Sequence, residues 1–182
     1  MTAFPELCDH LLTHAVRSGD FLLKSGRRSS WFLDAKQTTC RPEGMVLVAD
    51  AALSVIPEEA TAIGGLTMGA DAVAFAVAAV AATRGRMLRS FSVRAEAKDH
   101  GGGGRLAGAL EPGDRVVVSE DTVTRGVSML EAVDVVRQAG ATPVLLLPVV
   151  DRGGTCAKLA RDAGIAFRAL VTAAELGASE DA

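Results

Sequence analysis

A chain of 182 residues is long enough for one α/β domain with a substantial core, and a formal charge of −3 gives no electrostatic case for binding nucleic acid. Apolar residues make up 49%, yet aromatics supply 4% and tyrosine is absent, so alanine and valine must form the core, as in helices packed closely on a parallel sheet. Cys8, Cys40 and Cys156 lie far apart, which argues against a disulfide framework, and with no apolar run near the roughly 20 residues of a membrane span and no secretory-leader pattern, the expectation is a cytoplasmic protein without membrane attachment.

Residues 5–18 read as a helix, with Leu7, Leu11 and Ala15 on the buried side and Gly19 closing it. His10 and His14 stand four apart on it, but no third ligand is near, so a metal site is not expected there. Residues 21–26 and 30–34 are strand-like runs around a basic turn and should pair as a hairpin. A second helix is expected over 42–56, with Pro42 in its first turn and Pro57 ending it. Residues 60–64 form a short apolar run. After it, Gly64, Gly65, Leu66, Thr67, Met68, Gly69 and Ala70 read as a glycine-bearing turn into an almost wholly apolar helix over 72–82. Such a turn is a weak phosphate-loop signal by itself.

Residues 87–94 are strand-like. The loop that follows carries Arg94, Lys98 and His100 ahead of four glycines at 101–104. Cations beside a glycine run make a poor core element and suit a segment that closes on a polyanion. Residues 116–119 read as a buried strand. Glu120 and Asp121 follow, then a turn of Thr122, Val123, Thr124, Arg125, Gly126, Val127 and Ser128, with a helical pattern from Met129 to Gly140. This order places two acids beside a helix N-terminus, whose free N–H groups suit a phosphate. The carboxylates are too close to want that phosphate and should face hydroxyls or a metal. Residues 141–150 are a further strand, in which Pro143 and Pro148 suggest an edge position or strand ends. Asp151 and Arg152 follow at the C-terminal end, where open α/β sheets bind ligands, and the arginine fork suits a carboxylate. Residues 155–164 should be helical, 167–171 a last strand and 172–176 a helical turn, with no internal repeat and no second globular domain.

Four of these stretches together resemble type I phosphoribosyltransferases, and orotate phosphoribosyltransferases in particular. Residues 116–128 are similar to the phosphoribosyl pyrophosphate (PRPP) signature. Leu23, Lys24, Ser25, Gly26, Ser29, Trp31 and Asp34 follow a hood pattern, LxSGxxSxxYxD; residues 64–71 match GGLTxGAD; and 94–101 match the lid pattern R-K-x-x-K-x-H-G. The resemblance implies one domain over 1–182, an open and mainly parallel sheet flanked by helices, with residues 1–40 giving a helix and the hood hairpin. It implies transfer of ribose 5-phosphate from PRPP to orotate, with Mg²⁺ held mostly by substrate oxygens, in a homodimer whose lid closes on the partner's site.

By position, Glu120 and Asp121 would hold the ribose hydroxyls, and Thr122 to Ser128 the 5′-phosphate. Lys24, Arg94, Lys98 and His100 would bind PRPP, and Lys98, His100 and Asp121 would be the catalytic set. Gly65, Leu66, Thr67, Met68 and Gly69 would take pyrophosphate, while Thr124 and Arg152 would bind orotate. Trp31 and Phe32 would lie against the pyrimidine, with a place in the hood core as the other reading for Trp31. Four departures stand out. Met68 and Ala95 occupy places where lysines occur in the family, and Arg125 and Val127 replace small residues; valine tolerates positive φ badly, so this loop must differ locally or avoid that conformation. The alternatives are a divergent transferase acting on another base and a non-catalytic PRPP-binding regulator.

Overall fold

A computed structural model describes residues 2–22, 28–97 and 104–178. Helix α1 (Pro5–His14) starts on its proline and buries Leu7, Cys8 and Leu11. It stops short of the expected end because Val16 already belongs to a strand. That strand, β1 (Val16–Leu22), pairs antiparallel with β2 (Arg28–Leu33), setting Val16 opposite Leu33 and Ser18 opposite Trp31. Gly19 therefore lies in a strand, where the register shifts between Ser18 and Phe21, and does not cap the helix. The expected hairpin is present. Lys24, with Leu23, Ser25 and Gly26, lies outside the described residues.

A four-residue helix, α2 (Lys36–Thr39), follows the hairpin; one turn is too short to show periodicity, and the pattern gave no sign of it. Helix α3 (Pro42–Leu53) packs so closely on it that a Cβ at Gly44 would stand 2.1 Å from the Thr38 carbonyl oxygen. It ends before Ile56, in a turn where the Val55 and Ile56 N–H groups both reach the Ala52 carbonyl.

The main sheet contains β3 (Ala62–Leu66), β4 (Arg89–Val93), β5 (Leu106–Gly108), β6 (Arg115–Val123), β7 (Thr142–Asp151), β8 (Ala166–Phe167) and β9 (Val171–Thr172). The order is β5-β4-β3-β6-β7-β8, with β9 also beside β7, and every pairing is parallel except β4 with β5. Helices α4 (Gly69–Thr83), α5 (Val127–Gln138) and α6 (Cys156–Asp162) make the crossovers. Side chains alternate between two cores, as a sheet covered on both faces requires. Val117, Leu145 and Leu147 join Leu11, Val48, Val73 and Val77 on one face. Val116, Val118 and Leu146 join Met129, Val133 and Val136 on the other. This is the expected α/β architecture.

Two expectations change. Gly64 and Gly65 lie inside β3, where a Cβ would come within 2.3 Å of the Phe91 carbonyl oxygen and 2.2 Å of that of Ser119. They allow close strand and helix packing, so Gly65 is not part of a loop. Strand β7 is interior, flanked by β6 on one side and by β8 and β9 on the other. Pro143 is tolerated where the β6–β7 register slips, and Pro148 still accepts a hydrogen bond at 3.1 Å from the Leu170 N–H. Among the described residues no helix is long and apolar enough to cross a membrane.

Candidate functional site

Strand β6 does not end at Ser119 but carries Glu120 and Asp121 within it, 7% and 6% exposed. The two side chains converge on the start of α4, where a Cβ on Gly69 would lie 2.0 Å from Glu120 Oε1 and 2.7 Å from Asp121 Oδ1. Each acid has its own partners. Glu120 Oε1 accepts the Asp121 N–H at 3.2 Å, and the Ser128 hydroxyl also hydrogen-bonds to this carboxyl. Burial first, and then the charge of Asp121, push the Glu120 carboxyl up to about 8. Asp121 accepts the Thr122 N–H at 2.8 Å and the Lys36 ammonium at 2.5 Å. Burial alone would lower the Lys36 pKa; the hydrogen bond and charge of Asp121, with Asp34 and Glu120 nearby, raise it on balance.

Beyond the acids, Thr122, Val123, Thr124, Arg125, Gly126, Val127, Ser128 and Glu131 line a cleft of about 370 Å³ at the start of α5. Here the turn opens onto a helix N-terminus, whose free N–H groups suit an anion. Gly126 is the N-cap, with φ 83°, and a Cβ there would lie 2.6 Å from Cys156 Sγ. Val127 is the first residue of α5, two before the expected start, and no non-glycine described residue has positive φ. Placing the left-handed turn on Gly126 resolves the conflict that valine posed. The hydroxyl of Thr155, just before α6, donates to the Arg125 carbonyl at 3.1 Å and braces the turn from outside.

Across from this cleft, the turn at Thr67 and Met68 joins β3 to α4 through a cis peptide. The Asp71 carboxylate accepts the Thr67 hydroxyl at 2.5 Å and the Ser92 hydroxyl at 2.7 Å, fixing the turn to β4. Of the five residues assigned to pyrophosphate, Gly65 and Leu66 are in the strand, Thr67 and Met68 form the turn, and Gly69 opens the helix.

Arg94 is folded back: its N–H donates to the Arg105 carbonyl at 2.7 Å and its guanidinium to the Leu106 carbonyl at 3.2 Å. Arg105 returns a bond to the Arg94 carbonyl at 2.7 Å and pairs with Glu131 in the cleft. Lys98 and His100 lie outside the described residues.

Thr124 and Arg152 leave neighbouring strand ends, since Val123 stands opposite Asp151 and the Arg152 N–H donates to the Val123 carbonyl at 2.8 Å. The Arg152 guanidinium lies 4.7 Å from the Trp31 ring centroid. Trp31 is 5% exposed and belongs to the core, while Phe32 is half-exposed. Trp31 is thus hood core and a platform for the arginine. Sequence reasoning missed Lys36, Asp71, Arg105 and Glu131. Their roles depend on tertiary neighbours, except that Glu131 could have been found one turn into a helix begun at Val127.

No family model matches the chain. The orotate phosphoribosyltransferase of Nostoc sp. is 38% identical over 172 residues, covering 94% of this chain and 84% of that protein. The Mycobacterium tuberculosis orotate phosphoribosyltransferase in complex with Fe(III) dicitrate superposes with a TM-score of 0.83 at 34% identity, over 94% of this chain and 97% of that one. The complex of the M. tuberculosis enzyme with PRPP gives 0.79 at 30% identity, over 94% and 97%. The sheet, its flanking helices and the acid-bearing strand therefore define a type I phosphoribosyltransferase. Within that class, the chain belongs to the orotate phosphoribosyltransferase family.

Proposed function

We propose that this single-domain chain works as a cytoplasmic homodimer that, with Mg²⁺, transfers ribose 5-phosphate from PRPP to a ring nitrogen of orotate. The products are orotidine 5′-monophosphate and pyrophosphate, in de novo pyrimidine biosynthesis. The observation that carries this reading is the buried Glu120–Asp121 pair, set between the cleft at 122–128 and the turn at Thr67 and Met68.

In the reaction the bond from ribose C1 to the diphosphate loosens, positive charge develops on the ribose, and the base attacks from the opposite face. Glu120 and Asp121 hold the two ribose hydroxyls. The N–H groups at the start of α5 hold the 5′-phosphate, with Arg125 beside them. Thr67, Met68 and Gly69 offer backbone to the pyrophosphate, and Arg152 with Thr124 orients the orotate carboxylate. Lys24, Arg94, Lys98 and His100 supply charge to the leaving group, and closure by the last two excludes water. Among the described residues no group of three His, Cys, Asp or Glu could hold a metal. The Mg²⁺ ion would come on substrate oxygens and neutralise the diphosphate there.

The test is consumption of orotate in the presence of PRPP and Mg²⁺, with uracil and purine bases as controls. Orotate turnover is expected. PRPP binding without turnover of any base would leave a regulator, and turnover of another base alone would remove the orotate assignment. Mixing Lys98→Ala with Asp121→Asn subunits should restore one working site per mixed dimer if the lid acts across subunits.

A further inference from the structure

We propose that Lys36 is a further substrate-binding residue of this site, its ammonium bridging the Asp121 carboxylate and the diphosphate of PRPP. The proposal rests on the PRPP reading above. Four lysines occur in the chain, at 24, 36, 98 and 158. Lys158 pairs with Asp162 on the surface of α6, which leaves Lys36 as the only lysine among the described residues that reaches the acids.

Its position is built into the fold. The α2 turn is fixed by hydrogen bonds from the Gln37 N–H to the Asp34 carbonyl at 3.0 Å and from the Thr39 N–H to the Ala35 carbonyl at 2.8 Å. Thr38 and Thr39 are buried beneath it, and α2 packs on both α3 and α4. The Lys36 side chain therefore leaves a rigid turn beside the helix whose first residue, Gly69, abuts both acids.

The exposures of the two partners differ sharply. The Asp121 side chain is 8% exposed and that of Lys36 is 44% exposed, so the ammonium stands at the mouth of a buried acid. Among the described residues its partner is Asp121 Oδ2, and an ammonium carries three N–H donors, so its exposed side can also meet a substrate oxygen. An isolated surface ion pair contributes little and would not need a buried carboxylate as its partner. The charge balance points the same way. Met68 and Ala95 contribute no cation, so the turn at Thr67 and Met68 offers no positive charge to a polyanionic leaving group. Lys36 supplies one at the junction of ribose acids and pyrophosphate turn.

The test uses the full chain with Lys36→Met, Lys36→Gln and Lys36→Arg, the glutamine keeping a hydrogen bond to Asp121 without the charge. PRPP, inorganic pyrophosphate and ribose 5-phosphate are titrated as separate probes with Mg²⁺ present, alongside steady-state kinetics. Loss of the charge is expected to weaken PRPP and pyrophosphate about tenfold or more, as for a charge-assisted contact. Ribose 5-phosphate and the KM for orotate should stay within about twofold, and Lys36→Arg should recover most of the loss. Equal weakening of pyrophosphate and ribose 5-phosphate would show that Lys36 acts only by holding Asp121, and no weakening of either would show a surface pair; both overturn the proposal. Failure to turn over orotate with PRPP binding intact would sink the orotate reading while leaving this comparison valid.

Discussion

At Gly69 the site has no room for a methyl group. A Cβ there would overlap Glu120 Oε1 at 2.0 Å, so Gly69→Ala must displace either the acids or the turn at Thr67 and Met68. Displacements of about 1 Å in a positioned site cost on the order of a hundredfold. The variant should therefore lose about that much kcat/KM for PRPP in steady-state assays while keeping a native circular dichroism spectrum. Glu120 makes a different prediction. Its carboxyl is raised from an ordinary 4.5 to about 8, so folding takes up a proton between those values and this group's contribution to stability falls as pH rises through that window. Glu120→Gln cannot ionise and lacks that slope. In urea unfolding its stability should gain on the parent chain between about pH 5 and 8, and a constant difference would show that Glu120 is not protonated by burial. Both acids were legible in the sequence because they are adjacent and precede a helix. Lys36 was not: it stands 85 residues from Asp121, and only folding brings them together.

Element boundaries were harder to read than element types, and the reasons are physical. Glycines and acids look like strand ends, yet β3 runs through Gly64 and Gly65 and β6 through Glu120 and Asp121, because neighbouring strands and helices satisfy them. The helical reading of residues 16–18 failed because cross-strand partners in β2 outweigh a local periodicity. The opposite end of the sheet shows how such an element is held. Asp114, buried at the turn before β6, accepts the Thr61 hydroxyl at 2.7 Å, the Glu111 N–H at 2.7 Å and the Arg89 guanidinium. Burial opposes its charge, but these hydrogen bonds outweigh burial and hold its pKa below the usual carboxylate range. Its contribution to stability is thus present above the unfolded-state pKa and is lost as pH falls through the lower folded value. Asp114→Ala should cost about 1–3 kcal/mol in denaturant unfolding at pH 7, since it removes the buried acceptor that ties Thr61, Glu111 and Arg89 together. The KM values should not change, because this turn lies at the N-terminal ends of the strands and the acids near the C-terminal ends.

On the scale of the whole molecule, the hood and the sheet meet at the stack of Arg152 on Trp31. Trp31 comes from the hairpin and Arg152 follows β7, so the contact joins the first part of the chain to the last third. Trp31 is also the chain's one tryptophan, which makes the junction an intrinsic fluorescent reporter. A cation held against the ring shifts when it engages a carboxylate, and the ring's surroundings change with it. Orotate added to the protein should produce a saturable change in tryptophan emission, once corrected for orotate's own absorption. Arg152→Met keeps an apolar stem on the ring but removes the planar fork, so it should weaken orotate about tenfold to a hundredfold, the range for a hydrogen bond to a charged group. With no cation left against the ring the emission change should shrink, so the weakening is read from the KM for orotate, and PRPP affinity should hold, because the acids and the α5 cleft are untouched. If the parent chain turns over orotate with no emission change, orotate binds away from this stack, and the hood–sheet junction is structural only.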